Sequence, residues 1–420
     1  MTSTGFGCCL ADDMGLGKTI EIIAFLLARL KTGKKGGVSL ILCPTSVISN
    51  WEHEFKKFAP SLKVQVHHGL SRTRNNAFIS DVLKYNIVLT SYALLHRDIE
   101  FLSTVKWDGV IADEAQYVKN YSTKQSKAIR SLASNFRIAL TGTPIENRLE
   151  DLRSIFEFIN PGYLGSEKRF RKLFSNPIEK EGDEDATRAL NRLVNPIILR
   201  RVKTDRKIIS DLPEKDETKV FVPLTQEQAS LYDATVTAML ESVEEKEGIE
   251  RKGIILSAIT KLKRLLDHPS LVSGDLDRRF NRSQKLVRLM EMLEEILGAK
   301  EKTLIFTQYV EAGKIIKETI LKRFREEAMF LNGSTSRVMR EQMVSRFQSP
   351  EGPRIFVISV KAGGFGINLT AATNVIHFDR WWNPSVEDQA TDRAYRIGQS
   401  KQVHVYKFAR LEPLRRRLTR

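Results

Sequence analysis

Apolar residues in this chain fall into two kinds of run, and the two alternate. Short, nearly unbroken runs read as strands buried on both faces: Cys8 to Ala11, Val38 to Cys43, Lys63 to His67, Asn86 to Thr90, Gly109 to Ala112 and Arg137 to Leu140. Between them lie stretches with apolar residues at helical spacing, such as Ile20 to Leu30, Val47 to Phe58 and Thr123 to Leu132. This alternation, from Gly7 to Pro144, predicts a mostly parallel sheet with helices on both faces. A second series opens near Ser283. It runs through a helix Lys285 to Leu297, a strand Thr303 to Phe306, a helix Glu311 to Phe324, a strand Ala328 to Leu331 and a helix around Glu341 to Phe347. The strands Arg354 to Ser359, Asn374 to Phe378 and Val403 to Phe408 complete it.

Between the two series, Pro161 to Arg282 has a different character. Charged helical segments dominate, among them Thr225 to Glu247 and Gly253 to Leu266, and strand signals shrink to Ile197 to Leu199 and Lys219 to Val222. The expected architecture is therefore α/β. Two parallel-sheet domains, residues 1–160 and 283–420, flank helical protrusions and a linker at 161–282.

Composition adds a partner class. With 67 Lys+Arg against 51 Asp+Glu, the chain carries a net charge of +16, which suits a polyanion whose counterions are released on binding. At 41% hydrophobic and 28% charged residues, with no apolar run near the ~20 residues that cross a bilayer, the expectation is a globular protein without a membrane partner. Met1 to Thr4 lead straight into the first strand without a signal peptide, so the expected location is intracellular, in a nucleoid-containing cytoplasm or a nucleus. Three cysteines make no disulfide framework, and no Cys/His cluster has zinc spacing.

Candidate chemistry sits at strand ends. Asp12-Asp13-Met14-Gly15-Leu16-Gly17-Lys18-Thr19 follows a strand and precedes a helix, as a phosphate-binding loop does, although glycine is the usual first residue where Asp12 stands. Its backbone N–H groups and the helix dipole would cradle phosphates, with Lys18 on the β- and γ-phosphates and Thr19 on Mg²⁺. Asp113 and Glu114 end the strand Val110 to Ala112. There Asp113 can hold Mg²⁺ and Glu114 can orient water, although Asp-Glu after a strand also reads as a plain helix start. Thr141-Gly142-Thr143-Pro144 reads as a γ-phosphate sensor or only a turn. Gln389 to Gln399 looks helical, placing Arg393 and Arg396 on one face as arginine fingers or as a solvated basic surface.

Taken in order, these segments resemble the Swi/Snf-type ATPases of helicase superfamily two, built from two RecA-like lobes around an ATP cleft. The matching segments in the first half are Asp12 to Thr19, Cys43-Pro44-Thr45, Thr90-Ser91-Tyr92, Asp113 to Gln116 and Leu140 to Arg148. In the second half they are Phe306-Thr307-Gln308, Leu331-Asn332-Gly333, Ser359 to Leu369, Phe378 to Pro384 and Asp388 to Gln399. Leu224 to Tyr232 and Leu262 to Pro269 match in the helical region.

The resemblance implies ATP and Mg²⁺ as cofactors. Asp13, Met14, Gly15, Leu16, Gly17, Lys18 and Thr19 would hold the nucleotide, with Gly364, Gly366 and Gln389 lining the cleft. Lys18, Asp113, Glu114, Gln116, Arg393 and Arg396 would be catalytic. Gln116 stands where many members have histidine. Pro44, Thr45, Ser91, Tyr92, Thr141, Asn332, Gly333, Ser359 and Lys361 would meet the DNA backbone, while Trp381 and Trp382 would pack between lobes rather than stack on bases, the alternative reading. The implied activity is ATP-driven translocation on double-stranded DNA by a monomeric motor core, remodelling DNA-bound proteins. A strand-separating helicase and a non-catalytic DNA-binding remnant are the alternatives. Members usually carry a glutamine ahead of the phosphate loop that reads adenine, and a Gly-Thr-hydrophobic-Glu-Glu segment after the last strand. Neither lies in Met1 to Ala11 or after Phe408, so a core trimmed at both ends is expected.

Overall fold

The computed structural model describes residues 5–410 apart from 32–36, 70–71, 119–122, 143, 146–147, 204, 206–212, 245–246 and 360–366. The chain divides into two compact units, residues 1–210 and 211–420. Each is built on one parallel sheet.

The first unit holds β1 (Cys8–Leu10), β2 (Ser39–Cys43), β3 (Val64–Val66), β4 (Ile87–Ser91), β5 (Trp107–Ala112), β6 (Ser134–Leu140) and β7 (Ile198–Leu199). They pair in the order β3-β4-β2-β5-β6-β1-β7. Every residue of β2, β4 and β5 is buried, as strands covered by helices on both faces must be. Helix Lys18–Lys31 buries Ile22, Ile23 and Leu26, and helix Ile48–Phe58 buries Ile48, Trp51 and Phe55. Packing in this core is close. A Cβ on Gly109 of β5 would stand 2.0 Å from the Phe136 ring of β6.

The second unit holds β8 (Lys215–Val222), β9 (Thr303–Thr307), β10 (Ala328–Leu331), β11 (Ile355–Ser359), β12 (Asn374–His377) and β13 (Val403–Arg410), ordered β10-β11-β9-β12-β13-β8. The pattern shows only the last four residues of β8. Lys215 to Thr218 are exposed on the sheet edge and carry no burial signal. Pairing to β13 holds them instead, reinforced by Lys215 and Lys407 on either side of Glu217, at 2.7 Å each.

The helical middle of the chain belongs partly to each unit. Phe170, Leu190 and Val194 join the first core. Helices Gln226–Glu244 and Gly248–Asp267 lie in the second unit, joined where the buried Gln228 amide donates to the Leu265 carbonyl at 3.0 Å.

In both sheets the motif residues fall at the carboxyl ends of the strands. Asp12 follows β1, Pro44 follows β2, Asp113 follows β5 and Thr141 follows β6. In the second unit Gln308 follows β9 and Asn332 follows β10. Ligands of open parallel sheets bind along that edge.

Candidate nucleotide site and nucleic-acid surfaces

Strand β1 delivers the chain into the phosphate loop between β6 and β7. Gly15 and Gly17 take φ of 81° and 86°, the left-handed region open to glycine, which turns the loop back onto the helix that begins at Lys18. Lys18 Nζ donates to the Asp12 carbonyl at 2.5 Å and the Asp13 carbonyl at 3.1 Å. The ammonium thus lies over the loop, and Thr19 is half-buried beside it. Gly142 closes against the loop from the end of β6, where a Cβ would stand 3.0 Å from Met14 Cγ.

Asp113 is held from several sides. The buried indole of Trp51 donates to Oδ2 at 2.8 Å, the Glu114 N–H donates to Oδ1 at 2.9 Å, and the Tyr92 hydroxyl donates to the Asp113 carbonyl at 2.7 Å. Burial, then the adjacent Glu114 charge, pushes the Asp113 carboxyl up to about 7, while the Trp51 bond and the Lys18 ammonium pull it down. Gly142, at the end of the strand between β1 and β5, packs against Met14 of the loop, and the Lys18 ammonium favours the charged form of Asp113. Glu114 itself has φ of 51° and is 8% exposed. The Gln116 amide donates to Glu114 Oε2 at 2.8 Å, and the Thr141 hydroxyl donates to Gln116 Oε1 at 3.5 Å. Asp113, Glu114, Gln116 and Thr141 therefore form one chain of contacts across the ends of β5 and β6.

This donor set fits a magnesium nucleotide. Among the described residues no three His, Cys, Asp or Glu gather as a metal site. A metal here would rest on Asp113, the Thr19 hydroxyl, phosphates and water, the hard-oxygen set that Mg²⁺ takes.

Three expected DNA contacts are differently employed. Ser91 is buried and its hydroxyl caps helix Tyr92–Arg97 by accepting from the Leu94 N–H. Tyr92 is buried, bonded to Asp113 and stacked on Tyr117 with ring centroids 5.3 Å apart. Thr141 is fully buried on Gln116. The Tyr92 and Thr141 hydroxyls brace the acidic strand end from within, and Ser91 secures the helix that carries Tyr92. Ser359 is also buried and so is Pro44, whereas Thr45 and Gly333 are exposed and Asn332 is half-buried.

The arginines do not lie on a helix as their spacing suggests. Helix Pro384–Thr391 ends before them, and residues 392–398 form turns. The Arg393 carbonyl is taken by the Leu369 N–H at 2.9 Å. The Gln399 amide donates to the carbonyls of Thr370, Ala372 and Ala394, stapling the turn. Arg393 is 4% exposed and Arg396 half-buried, so they share a turn and not a helix face. Gln389 is half-buried on the helix itself. Trp382 is 70% exposed within its unit, with the Lys263 ammonium 4.5 Å from its ring centroid. Lys361, Gly364 and Gly366 lie outside the described residues.

Sequence reading missed Trp51 and Arg201. Trp51 lies in an amphipathic helix where an apolar residue needs no other explanation. Arg201 is 189 residues from its partner Asp12.

A phosphate loop on β1, with an acidic strand end two strands away in a parallel sheet, defines a phosphate-loop nucleotide-binding protein. The SNF2-related domain matches residues 2–271 and the helicase conserved C-terminal domain matches 284–398. The chain belongs to the SNF2-related family of ATPases and ATP-dependent helicases. It is 48% identical over 410 residues to a Bacillus subtilis protein named "Putative ATP-dependent helicase/translocase YwqA", covering 97% of this chain and 44% of that one. Over 416 residues it is 34% identical to the ISWI chromatin-remodeling complex ATPase ISW2 of Saccharomyces cerevisiae, covering 95% of this chain and 36% of the relative. The chain thus spans less than half of these relatives. Among solved structures it is similar to the Sulfolobus solfataricus SWI2/SNF2 ATPase core in complex with dsDNA. There the TM-score is 0.50 and the identity 47%, covering 98% of this chain and 85% of that one. Among the described residues no helix is long and apolar enough to cross a membrane.

Proposed function

We propose that this chain is a monomeric motor core that hydrolyses ATP in response to duplex DNA, translocates along it and remodels DNA–protein complexes. The observation that carries the reading is the gathering of Lys18, Asp113, Glu114, Gln116 and Thr141 at one sheet edge. It does so in a chain similar to a SWI2/SNF2 core whose structure contains duplex DNA. Loop N–H groups from Asp13 to Thr19 bind the phosphates, and Lys18 exchanges the Asp12 and Asp13 carbonyls for phosphate oxygens. Thr19 and Asp113 would hold Mg²⁺, which would supply neutralisation of charge on the phosphates. Glu114, oriented by Gln116, aligns the attacking water, and Thr141 relays the state of that pair. Arg393 and Arg396 offset charge on the transferring group, and Gln389, Gly364 and Gly366 serve nucleotide binding. Thr45, Asn332, Gly333 and Lys361 meet the DNA backbone without reading sequence.

An ATPase titration with single- and double-stranded DNA tests this reading. Duplex should stimulate turnover more than single strands, and Lys18→Ala should remove the activity. Turnover in the wild-type chain no higher than in Lys18→Ala at every DNA concentration would refute hydrolysis at this site.

A further inference from the structure

Asp12 occupies the position where a phosphate loop ordinarily has glycine, and its side chain is fully buried. A carboxylate taken out of water needs strong partners. Arg201 supplies them. Its backbone N–H donates to Asp12 Oδ1 at 2.8 Å and its Nε to Oδ2 at 2.9 Å, while Nη2 donates both to Oδ2 and to Glu21 Oε1 on the first turn of helix Lys18–Lys31. These two carboxylates hold the guanidinium above its ordinary range. The chain following β7 runs along the loop as well. Ala11 N–H donates to the Leu199 carbonyl at 2.7 Å, Asp13 N–H to the Arg201 carbonyl at 3.0 Å, and Lys203 N–H to Asp13 Oδ2 at 3.0 Å. Asp12 therefore carries Arg201 on its side chain and the Lys18 ammonium on its carbonyl.

We infer that Arg201 is a positioning residue for the phosphate loop, its clasp on Asp12 and Glu21 fixing the backbone from which Lys18 and the loop N–H groups reach nucleotide phosphates. The inference rests on the ATP-binding reading above. A guanidinium is suited to the task because its fork spans two carboxylates at once, which a lysine ammonium does not reproduce. The clasp also accounts for Asp12: a glycine there would leave Arg201 without its principal anchor.

The test is binding of a fluorescent ATP analogue, with Mg²⁺, to the full chain and its variants, with thermal melting followed in parallel. Arg201→Gln and Asp12→Asn should each weaken binding about tenfold, equivalent to ~1.4 kcal/mol. The double variant should bind no worse than the weaker single, because both changes open one clasp. Arg201→Lys, which keeps the charge and the fold, should fall between wild type and Arg201→Gln at an unchanged melting midpoint. Wild-type affinity in both Arg201→Lys and Asp12→Asn would overturn the inference, as would single effects that multiply in the double variant. Lys18→Ala separates the two claims. Wild-type binding no stronger than Lys18→Ala would remove the nucleotide site and the inference together. A wild type that binds well beside unaffected Arg201 and Asp12 variants would remove the inference alone.

Discussion

Glu114 keeps a left-handed backbone that costs a non-glycine residue about 1 kcal/mol, and its neighbours keep it there. Its own N–H is bonded to Asp113 and its carboxylate to Gln116. The Asp-Glu pair was legible in the sequence because it ends a buried strand. Trp51, which aims Asp113, was not, because a buried indole on a helix reads as core. Trp51→Phe shrinks a fully buried ring and removes a bond to a charged group worth roughly 1.5–3 kcal/mol. Expected are a melting temperature lowered by several degrees and, measured well below that transition, a several-fold higher Mg²⁺ requirement for ATP hydrolysis; an unchanged Mg²⁺ requirement would contradict the role given to the indole. His377 supplies a pH prediction in the second unit. Burial depresses its pKa to about 4, and the ring is bonded to the Thr391 hydroxyl at 2.9 Å. The unfolded chain takes up that proton near pH 6.5. Below 6.5 the unfolded state therefore binds more protons, and stability drops as pH falls from 6.5 toward 4. Urea unfolding of the second unit, measured between pH 7 and 4.5, should show this loss, and His377→Gln should make it shallower. An equally steep loss in the variant would assign the effect elsewhere, His268 being another buried imidazole with a lowered pKa.

Elements buried on both faces were the most legible, and those at edges or turns the least. β2, β4, β9 and β11 announce themselves by nearly continuous apolar runs, and β5 does so from Gly109 on. The outer half of β8 is written in Lys, Asp, Glu and Thr and is fixed only by its neighbour β13. The stretch holding Arg393 and Arg396 reads as helix by composition. It is a turn because the Leu369 N–H, from the segment before β12, claims the Arg393 carbonyl, while Gln399 folds its amide back onto the Ala394 carbonyl and onto those of Thr370 and Ala372. Helix–sheet and strand–strand packing can be probed by two glycines. In β5, Gly109→Ala drives a methyl into Phe136, a ring 4% exposed with nowhere to go. In helix Val310–Phe324, Gly313→Ala meets Phe330 at 2.5 Å, but that ring is half-buried and can turn outward. Overpacking costs roughly 1–3 kcal/mol. Gly109→Ala should lie at or beyond the upper end and Gly313→Ala near the lower, as read by chemical denaturation; the reverse order would contradict the packing described.

For the molecule as a whole, the charge of +16 and the two families of strand-end motifs point the same way. Duplex binding should be insensitive to sequence and weaken steeply with salt, because phosphate contacts release counterions. The role proposed for Arg393 and Arg396 belongs to this scale too, since they lie within residues 211–420 and the phosphate loop within residues 1–210. Arg393→Ala or Arg396→Ala should abolish turnover and leave ATP binding nearly unchanged in an equilibrium binding assay; lost binding with normal turnover would refute their role. What the sequence conveyed at this scale was the order of the motifs, which is local information repeated along the chain. What it concealed was pairing across nearly 200 residues, as between Asp12 and Arg201: Asp12 shows only as a missing glycine, and nothing local marks Arg201 as its partner. The central claim is directed motion on intact duplex DNA. It is tested most directly by displacement of a triplex-forming third strand from a duplex, with a tailed duplex as the companion substrate. The account predicts ATP-dependent release of the third strand, lost in Lys18→Ala, with the underlying duplex left paired. Unwinding of the tailed duplex without third-strand release would contradict it.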